Sequence, residues 1–274
     1  MCKIGWVTDL HLDYAKSSQR EHFIEQLLAQ QLDLLLIAGD IAESGNYKTE
    51  LLWLSERLQI PLYFVLGNHD FYGSLIDDIR QEASSFCQMH SNLFYLTTEA
   101  NYLSLTVEWA LAGHDGWSDG RAGDYEASTI ELRDYREIRD LKFLTKQERQ
   151  KKIHRLAQVS ASQVELKLIE AFKQHDNVLL VTHAPPFIEA CLYENHIADT
   201  DWAPHFVNQT LGESLLRLMG EYKKKSLLVL CGHTHHAATF QPLPNLKVLV
   251  GQASYGHPKG QSPLIIEAGK LFIE

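Results

Sequence analysis

The chain alternates short, fully apolar runs with stretches whose apolar residues recur at helical spacing. Lys3 to Val7 reads as a buried strand. Phe23, Ile24, Leu27 and Leu28 then share one face of a helix. Leu34 to Ala38 is a strand-length apolar run, and Leu51, Leu52, Leu54 and Leu58 predict a helix stopped by Pro61. Leu62 to Leu66 is a third strand. This alternation predicts β-α-β units and a mainly parallel sheet.

The middle of the chain has another rhythm. Tyr102 to Val107 and Trp109 to Ala112 read as paired strands. From about Gly113 to Phe172 the chain reads as a charged, largely helical excursion. Ser128 with Glu131, and Thr145 with Glu148, have the spacing of helix-opening capping boxes. Ile153, Ala157, Ala161, Val164, Leu168 and Phe172 keep a helical stripe, read as ordinary core packing. Strands return at Asn177 to Thr182, Ser226 to Leu230, Leu246 to Val250 and Leu264 to Glu267, with a helix around Leu211, Leu215, Leu216 and Leu218. Repeats, low-complexity tracts and Gly/Ser linkers are absent, so residues 1–274 read as one domain with an elaborated edge.

Polar residues punctuate the strand ends. Asp9 and His11 follow the first strand, Gly39-Asp40 the second, and Gly67-Asn68-His69-Asp70 the third. His183 and Gly232-His233-Thr234-His235 follow two later ones. Loops at the C-terminal ends of parallel strands are where α/β proteins bind ligands. Five such loops carrying Asp, His and Asn are expected to converge on one rim.

Composition narrows the chemistry. The formal charge of −10 gives no basic footprint for duplex nucleic acid. Lys223-Lys224-Lys225 reads as a solvated turn. The 14 histidines are many for this length, and histidine is the commonest metal ligand. The four cysteines, Cys2, Cys87, Cys191 and Cys231, form no C-x-x-C pair and predict neither a disulfide framework nor a zinc knot. No apolar run reaches the roughly 18 residues of a membrane span. Asp9 interrupts the N-terminus before a signal-peptide core forms. A cytoplasmic setting without membrane attachment is the resulting expectation.

The motifs differ in weight. D-x-H and H-x-H each arise by chance about once in a chain of this length, and Gly-Asp is common turn chemistry. G-N-H-[DE] has a chance rate of about 0.003 per chain, so Gly67 to Asp70 is the specific element. His183, in Thr182-His183-Ala184-Pro185-Pro186, sits in a loop stiffened by two prolines. Order and context carry the rest, since each motif follows an apolar strand.

The ordered series D-x-H, G-D, G-N-H-[DE], H and G-H-x-H resembles the calcineurin-like metallophosphoesterase superfamily, and its five blocks span Asp9 to His235. The resemblance implies a four-layer α/β/β/α sandwich with the site on its rim. By that pattern Asp9, His11, Asp40 and His235 hold one metal, and Asp40, Asn68, His183 and His233 the other, with Asp40 bridging. It also implies that His69 protonates the leaving group or stabilises the transition state. Asp70 is then expected to accept from the other imidazole nitrogen of His69 and raise its pKa. The excursion between Gly113 and Phe172 lies outside the shared pattern.

The implied chemistry is hydrolysis of a phosphomonoester or phosphodiester by in-line attack of a metal-bridging hydroxide. Two carboxylates against two divalent ions leave a net positive cluster that attracts phosphate. Mixed imidazole and carboxylate ligands suit Mn, Fe or Zn better than calcium. The expected partner is a small phosphorylated substrate. Candidates for holding it are His114 and Trp117 after a strand, Trp202 and His205 before a helix, Tyr255, and Arg121 as grip for a second phosphate; turn or core packing is the everyday reading of each. Two rivals remain: a catalytically idle binding scaffold on the same fold, and a nuclease or cyclic-nucleotide phosphodiesterase. Intact ligands and His69 weigh against the first, the net charge against the nuclease.

Overall fold

The computed structural model describes residues 1–98 and 101–274. In chain order its elements are β1 (Cys2–Val7), α1 (Ser17–Ala29), β2 (Leu34–Ala38), α2 (Tyr47–Leu58), β3 (Leu62–Val65), α3 (Ile76–Gln88), β4 (Leu93–Tyr95), β5 (Leu103–Ser104), β6 (Trp109–Gly113), α4 (Asp134–Glu137) and α5 (Lys146–Phe172). Then follow β7 (Asn177–Val181), β8 (Leu192–Tyr193), β9 (His196–Ile197), α6 (Ala203–Phe206), α7 (Gln209–Glu221), β10 (Ser226–Cys231), β11 (Ala238–Leu243), β12 (Leu246–Val250), β13 (Leu264–Glu267) and β14 (Lys270–Ile273).

Two six-stranded sheets face each other, ordered β14-β13-β1-β2-β3-β4 and β11-β12-β10-β7-β6-β5. Strands β1 to β4 run parallel, as do β6, β7, β10 and β12. Antiparallel strands close the edges at β13, β14, β5 and β11. The side-chain period of two explains the unbroken apolar runs. In β2, Leu34, Leu36 and Ala38 face the other sheet and join Trp6, Leu179, Val181 and Leu230 in the central core. Leu35 and Ile37 point outward beneath α1, α2 and α3, against Phe23, Leu51 and Ile79. Val178 and Leu180 of β7 do the same beneath α5 and α7, against Val164, Leu168 and Leu215. Both faces of each sheet are covered, which makes the α/β/β/α sandwich.

The excursion divides in two. Its second half is α5, opened by the Thr145–Glu148 capping box and packed against β6 and β7. Because β6 and β7 are parallel neighbours, α5 is their crossover helix and part of an outer layer. The first half is mostly irregular, and the helix expected at Ser128 does not form. Glu131 cannot reach back as a cap, because Arg149 of α5 grips its carboxylate with two nitrogens at 2.8 and 2.9 Å. The Ser128 hydroxyl instead donates to the Asp201 carbonyl at 2.8 Å.

Candidate metal centre and its cleft

Parallel pairing brings the C-terminal ends of β1, β2, β3, β7 and β10 to one rim. Just beyond β1 and β2 the two loops stay paired: the Asp9 amide donates to the Gly39 carbonyl and the His11 amide to the Asp40 carbonyl, each at 3.0 Å. Asp9, His11, Asp40, His233 and His235 all adopt positive φ, from 40° to 71°. For residues with a Cβ this conformation costs roughly 1–2 kcal/mol each. Strain of this kind persists where surrounding contacts fix it, typically at functional sites. Two glycines make room. A Cβ on Gly67 would lie 2.1 Å from Asp40 Oδ1, and one on Gly232 would lie 2.1 Å from Asp9 Oδ2. The G-N-H and G-H-x-H motifs therefore begin with glycine because a carboxylate passes there.

The candidate donor atoms form two groups that share Asp40. Asp9, His11, Asp40 and His235 make one, and Asp40, His183 and His233 the other; within each, one donor atom per residue lies within 4.8 Å of the rest. Asp40 Oδ2 is 3.7 Å from His11 Nε2 on one side and 3.5 Å from His183 Nε2 on the other. Its Oδ1 accepts from the His69 amide at 2.9 Å. Asn68 Oδ1 points into the second group, 3.0 Å from His183 Nε2.

Outer contacts aim these donors. The Nδ1–H of His183 donates to the Ala38 carbonyl at 2.8 Å, leaving Nε2 facing inward. The Nε2–H of His233 donates to the His205 carbonyl at 3.3 Å, leaving Nδ1 as its ligand atom. Asn68 Nδ2 donates to Asp134 Oδ1 at 2.9 Å, which fixes the amide flip and turns Oδ1 to the site. Such partners routinely set the tautomer and direction of metal ligands.

The residues fit a pair of cations. His11 Nε2 and His235 Nε2 face each other at 3.2 Å, close enough to share one proton in an N–H···N hydrogen bond or to share one cation. The charge balance agrees. Burial pushes His11 down to about 4 and His233 down to about 3, despite the nearby carboxylates. At His183 burial is overridden by Asp40 and Asp9, and its pKa rises to about 10. Burial also opposes ionisation of Asp40, yet the surrounding imidazoles hold its carboxyl well below the usual range. Asp40 is thus held ionised while His11 and His233 are held neutral, the protonation states in which these groups bind a cation.

Asp70 does not play the part expected of it. Its Oδ1 accepts from the Ile41 and Ala42 amides at 3.0 and 3.1 Å, and its Oδ2 from the Gly67 amide at 2.8 Å. It ties the loop after β3 to the loop after β2 and does not meet His69. The G-N-H-D spacing turns Asp70 back into its own loop, where three amides saturate it. The carboxylate near His69 is Glu43, with Oε1 3.5 Å from Nδ1. Glu43 is held by Arg133 Nη1 at 2.5 Å and by the Tyr14 hydroxyl at 2.6 Å. His69 Nε2 lies 4.0 Å from Asp40 Oδ2 and 3.4 Å from the Tyr255 hydroxyl.

A cleft of about 760 Å³ opens above the cluster, with Asp40, Asn68, His69, His233 and His235 in its floor. Two of the six candidate substrate residues line it, Trp202 and Tyr255. The other four do not. His114 is buried and neutral, its Nδ1 accepting from the Gly116 amide and its Nε2 meeting Gln163; burial and Arg80 push it down to about 3. Trp117 is buried against Phe71. His205 is buried between Ser128 and Tyr135, so only its backbone carbonyl reaches the centre. Arg121 pairs with Glu213 of α7 at 2.7 and 2.8 Å. His114 and Trp117 follow a strand and His205 precedes a helix, as expected, but their side chains turn into the core, and Arg121 lies on the surface.

The sequence reading missed Glu43, Tyr72, Arg133, Asp134 and Tyr193. Tyr72 donates to the same Asp134 oxygen that receives Asn68, at 2.8 Å. Arg133 stands over the Tyr72 ring at 5.2 Å. Glu43 and Tyr72 lie three residues beyond Asp40 and His69, a proximity that was available as a signal. Asp134 and Arg133 come from the excursion, and nothing local marks them.

The match to the calcineurin-like phosphoesterase family model covers residues 2–237, and the chain belongs to that family. It is a metal-dependent phosphoester hydrolase by family, with a His/Asp cluster able to hold the family's dimetal centre. Solved structures agree in fold. Phosphopantetheinyl hydrolase from Mycobacterium tuberculosis is 14% identical with a TM-score of 0.63, covering 94% of this chain and 95% of that one. A dimetal phosphatase from Danio rerio is 12% identical with a TM-score of 0.61, covering 97% and 93%. The protein TT1561 of Thermus thermophilus is 16% identical with a TM-score of 0.57, covering 100% and 98%. Comparison with curated proteins gave no match. Among the described residues no helix is long and apolar enough to cross a membrane.

Proposed function

We propose that this protein hydrolyses a small phosphomonoester or phosphodiester at the rim centre, with His69 as the proton donor to the leaving group. The observation that carries the reading is the shared carboxylate: Asp40 belongs to both ligand groups, and His69 Nε2 stands 4.0 Å from it on the cleft side. Asp9, His11, Asp40 and His235 would hold one divalent metal, and Asp40, Asn68, His183 and His233 the other. When bound, such a pair neutralises phosphate oxygens and lowers the pKa of a water held between them. The chain's own residues do the rest. Asp134 holds the Asn68 amide so that its carbonyl oxygen would be available to a metal at the second group. The His69 backbone amide anchors Asp40, while its ring faces the position of an ester oxygen. Tyr255 bounds that position and covers His11, with ring centroids 4.3 Å apart. Mn, Fe and Zn all suit the donor set.

The test is hydrolysis of a generic aryl phosphate and of its bis-aryl diester, with metal analysis of the same preparation. Activity is expected to vanish in excess chelator and return with Mn²⁺, at close to two metals per chain. A preparation that holds metal yet turns over neither ester would support the scaffold reading instead.

A further inference from the structure

We infer that the organic part of the substrate carries a flat aromatic ring, seated on a shelf formed by Trp202 and Phe206 beside the metal centre. This rests on the phosphoesterase reading above and extends it to the substrate's leaving side.

The shelf is continuous with the floor. The Phe206 ring lies 4.7 Å from the His233 ring, centroid to centroid, at 38° between planes. Trp202 continues outward from Phe206 at 6.0 Å and 45°. The His233 ring itself adjoins His183 at 4.8 Å. A curved row of π-faces thus runs from one ligand group to the mouth. Such faces favour offset or tilted aromatic partners beyond what apolar area gives.

Exposure points the same way. Trp202 is 45% exposed, and on the β8–β9 hairpin Tyr193 and Ile197 are 63% and 52% exposed. Large apolar side chains left in water around a concave site mark a binding groove. All three line the cleft above the cluster.

Charge limits what else the substrate carries. Among the described residues lining the cleft, Arg133 is the sole Lys or Arg, and it is already committed to Glu43. Glu194 and Asp199 sit on the outer wall. A second phosphate outside the metal centre would meet carboxylates and an occupied arginine. The wall therefore suits one phosphate on an aromatic body and disfavours polyphosphates and nucleic-acid backbone.

Non-hydrolysable phosphonates separate binding from turnover. The Mn²⁺-loaded protein is titrated by calorimetry with 2-naphthylmethyl phosphonate, its saturated decalin counterpart and ethyl phosphonate. The naphthyl ligand is expected to bind about tenfold more tightly than ethyl and several-fold more tightly than decalin. Trp202→Ala is expected to shrink the naphthyl-to-ethyl ratio about tenfold, and Trp202→Leu, which keeps apolar bulk, to shrink the naphthyl-to-decalin ratio. Equal binding of naphthyl and ethyl, or ratios unmoved by both variants, overturns the shelf. Decalin binding as tightly as naphthyl overturns its aromatic character. An adenosine 5′-phosphonate identifies the ring's source: affinity matching naphthyl assigns a nucleobase, weaker affinity an aryl alcohol. If the ligands bind in the expected order while no phosphoester is turned over, the hydrolase reading fails and the shelf stands. If esters are turned over and the phosphonates bind alike, the reverse holds.

Discussion

The rim that carries the candidate metal ligands and the wall that rises above it are built by different means. On the rim, side chains leave strand ends directly, and backbone geometry fixes them. Five candidate ligands sit at positive φ, and the adjoining loops are laced together by backbone amides and by Asp70. The wall is assembled from segments far apart in sequence: the irregular half of the excursion, the β8–β9 hairpin, α6 and the loop at Tyr255. Side-chain contacts hold it, among them Arg149 with Glu131 and His205 between Ser128 and Tyr135. A rim of this kind tolerates little change, whereas a wall of this kind can be rebuilt around the same chemistry.

The most severe way to break the rim is to remove the shared carboxylate. Asp40→Asn is expected to abolish binding of both metals and lower kcat/KM by at least about 10⁴-fold, checked by metal analysis and turnover. Retention of two metals with ordinary turnover would show that Asp40 does not bridge. Next is His69→Asn, which should leave metal content intact and lower kcat by about 10²–10⁴-fold. Full turnover in that variant would remove His69 as the acid.

The two regions meet at one bond, so Asp134→Ala sharpens the comparison. The wall loses its grip on Asn68, and metal affinity is expected to fall about 10–100-fold at the second site only. A uniform loss at both sites would mean that Asp134 acts on fold stability instead. Acid should loosen the wall before the rim's carboxylates protonate. Burial, then Arg149 and Lys146, push His205 down to about 4, below its ordinary value of about 6.5. The folded form therefore binds its proton less readily than the unfolded form. The stabilisation is complete above about pH 6.5 and is lost as pH falls toward 4. Hydrogen exchange at residues 124–135 is expected to quicken across that window. Arg121→Ala should do least. Its pair with Glu213 is exposed, worth about 0.2–1 kcal/mol, and turnover should stay within error.

The same contrast explains what could be read from the sequence. Strands with both faces covered are wholly apolar, so β1, β2, β3, β7 and β10 stand out, and their loaded ends mark the rim. The edge strands β4, β11 and β14 escape notice because they are short or half-exposed and carry no such run. The helix α3 also escapes, although Ile76, Ile79, Ala83 and Phe86 form its buried stripe. On the rim the error is Asp70, whose position beside His69 in sequence does not reveal the three amides that claim it. In the wall four of six candidates point elsewhere. Which way a loop side chain turns depends on tertiary partners such as Arg149 and Gln163, and those partners leave no local pattern.

The hydrogen bond from Asn68 to Asp134 also sets a rule for divergence. A recombinant that replaces the whole irregular half of the excursion, ahead of α5, would release Asn68 on a different strand end, so a naïve loop swap should yield a protein that folds but under-metallates. Exchange confined to residues 118–131 and to the β8–β9 hairpin leaves that anchor in place. Natural drift and deliberate grafting face the same boundary: within the excursion the wall is exchangeable up to Leu132, whereas Arg133 and Asp134 are inherited together with the reaction centre.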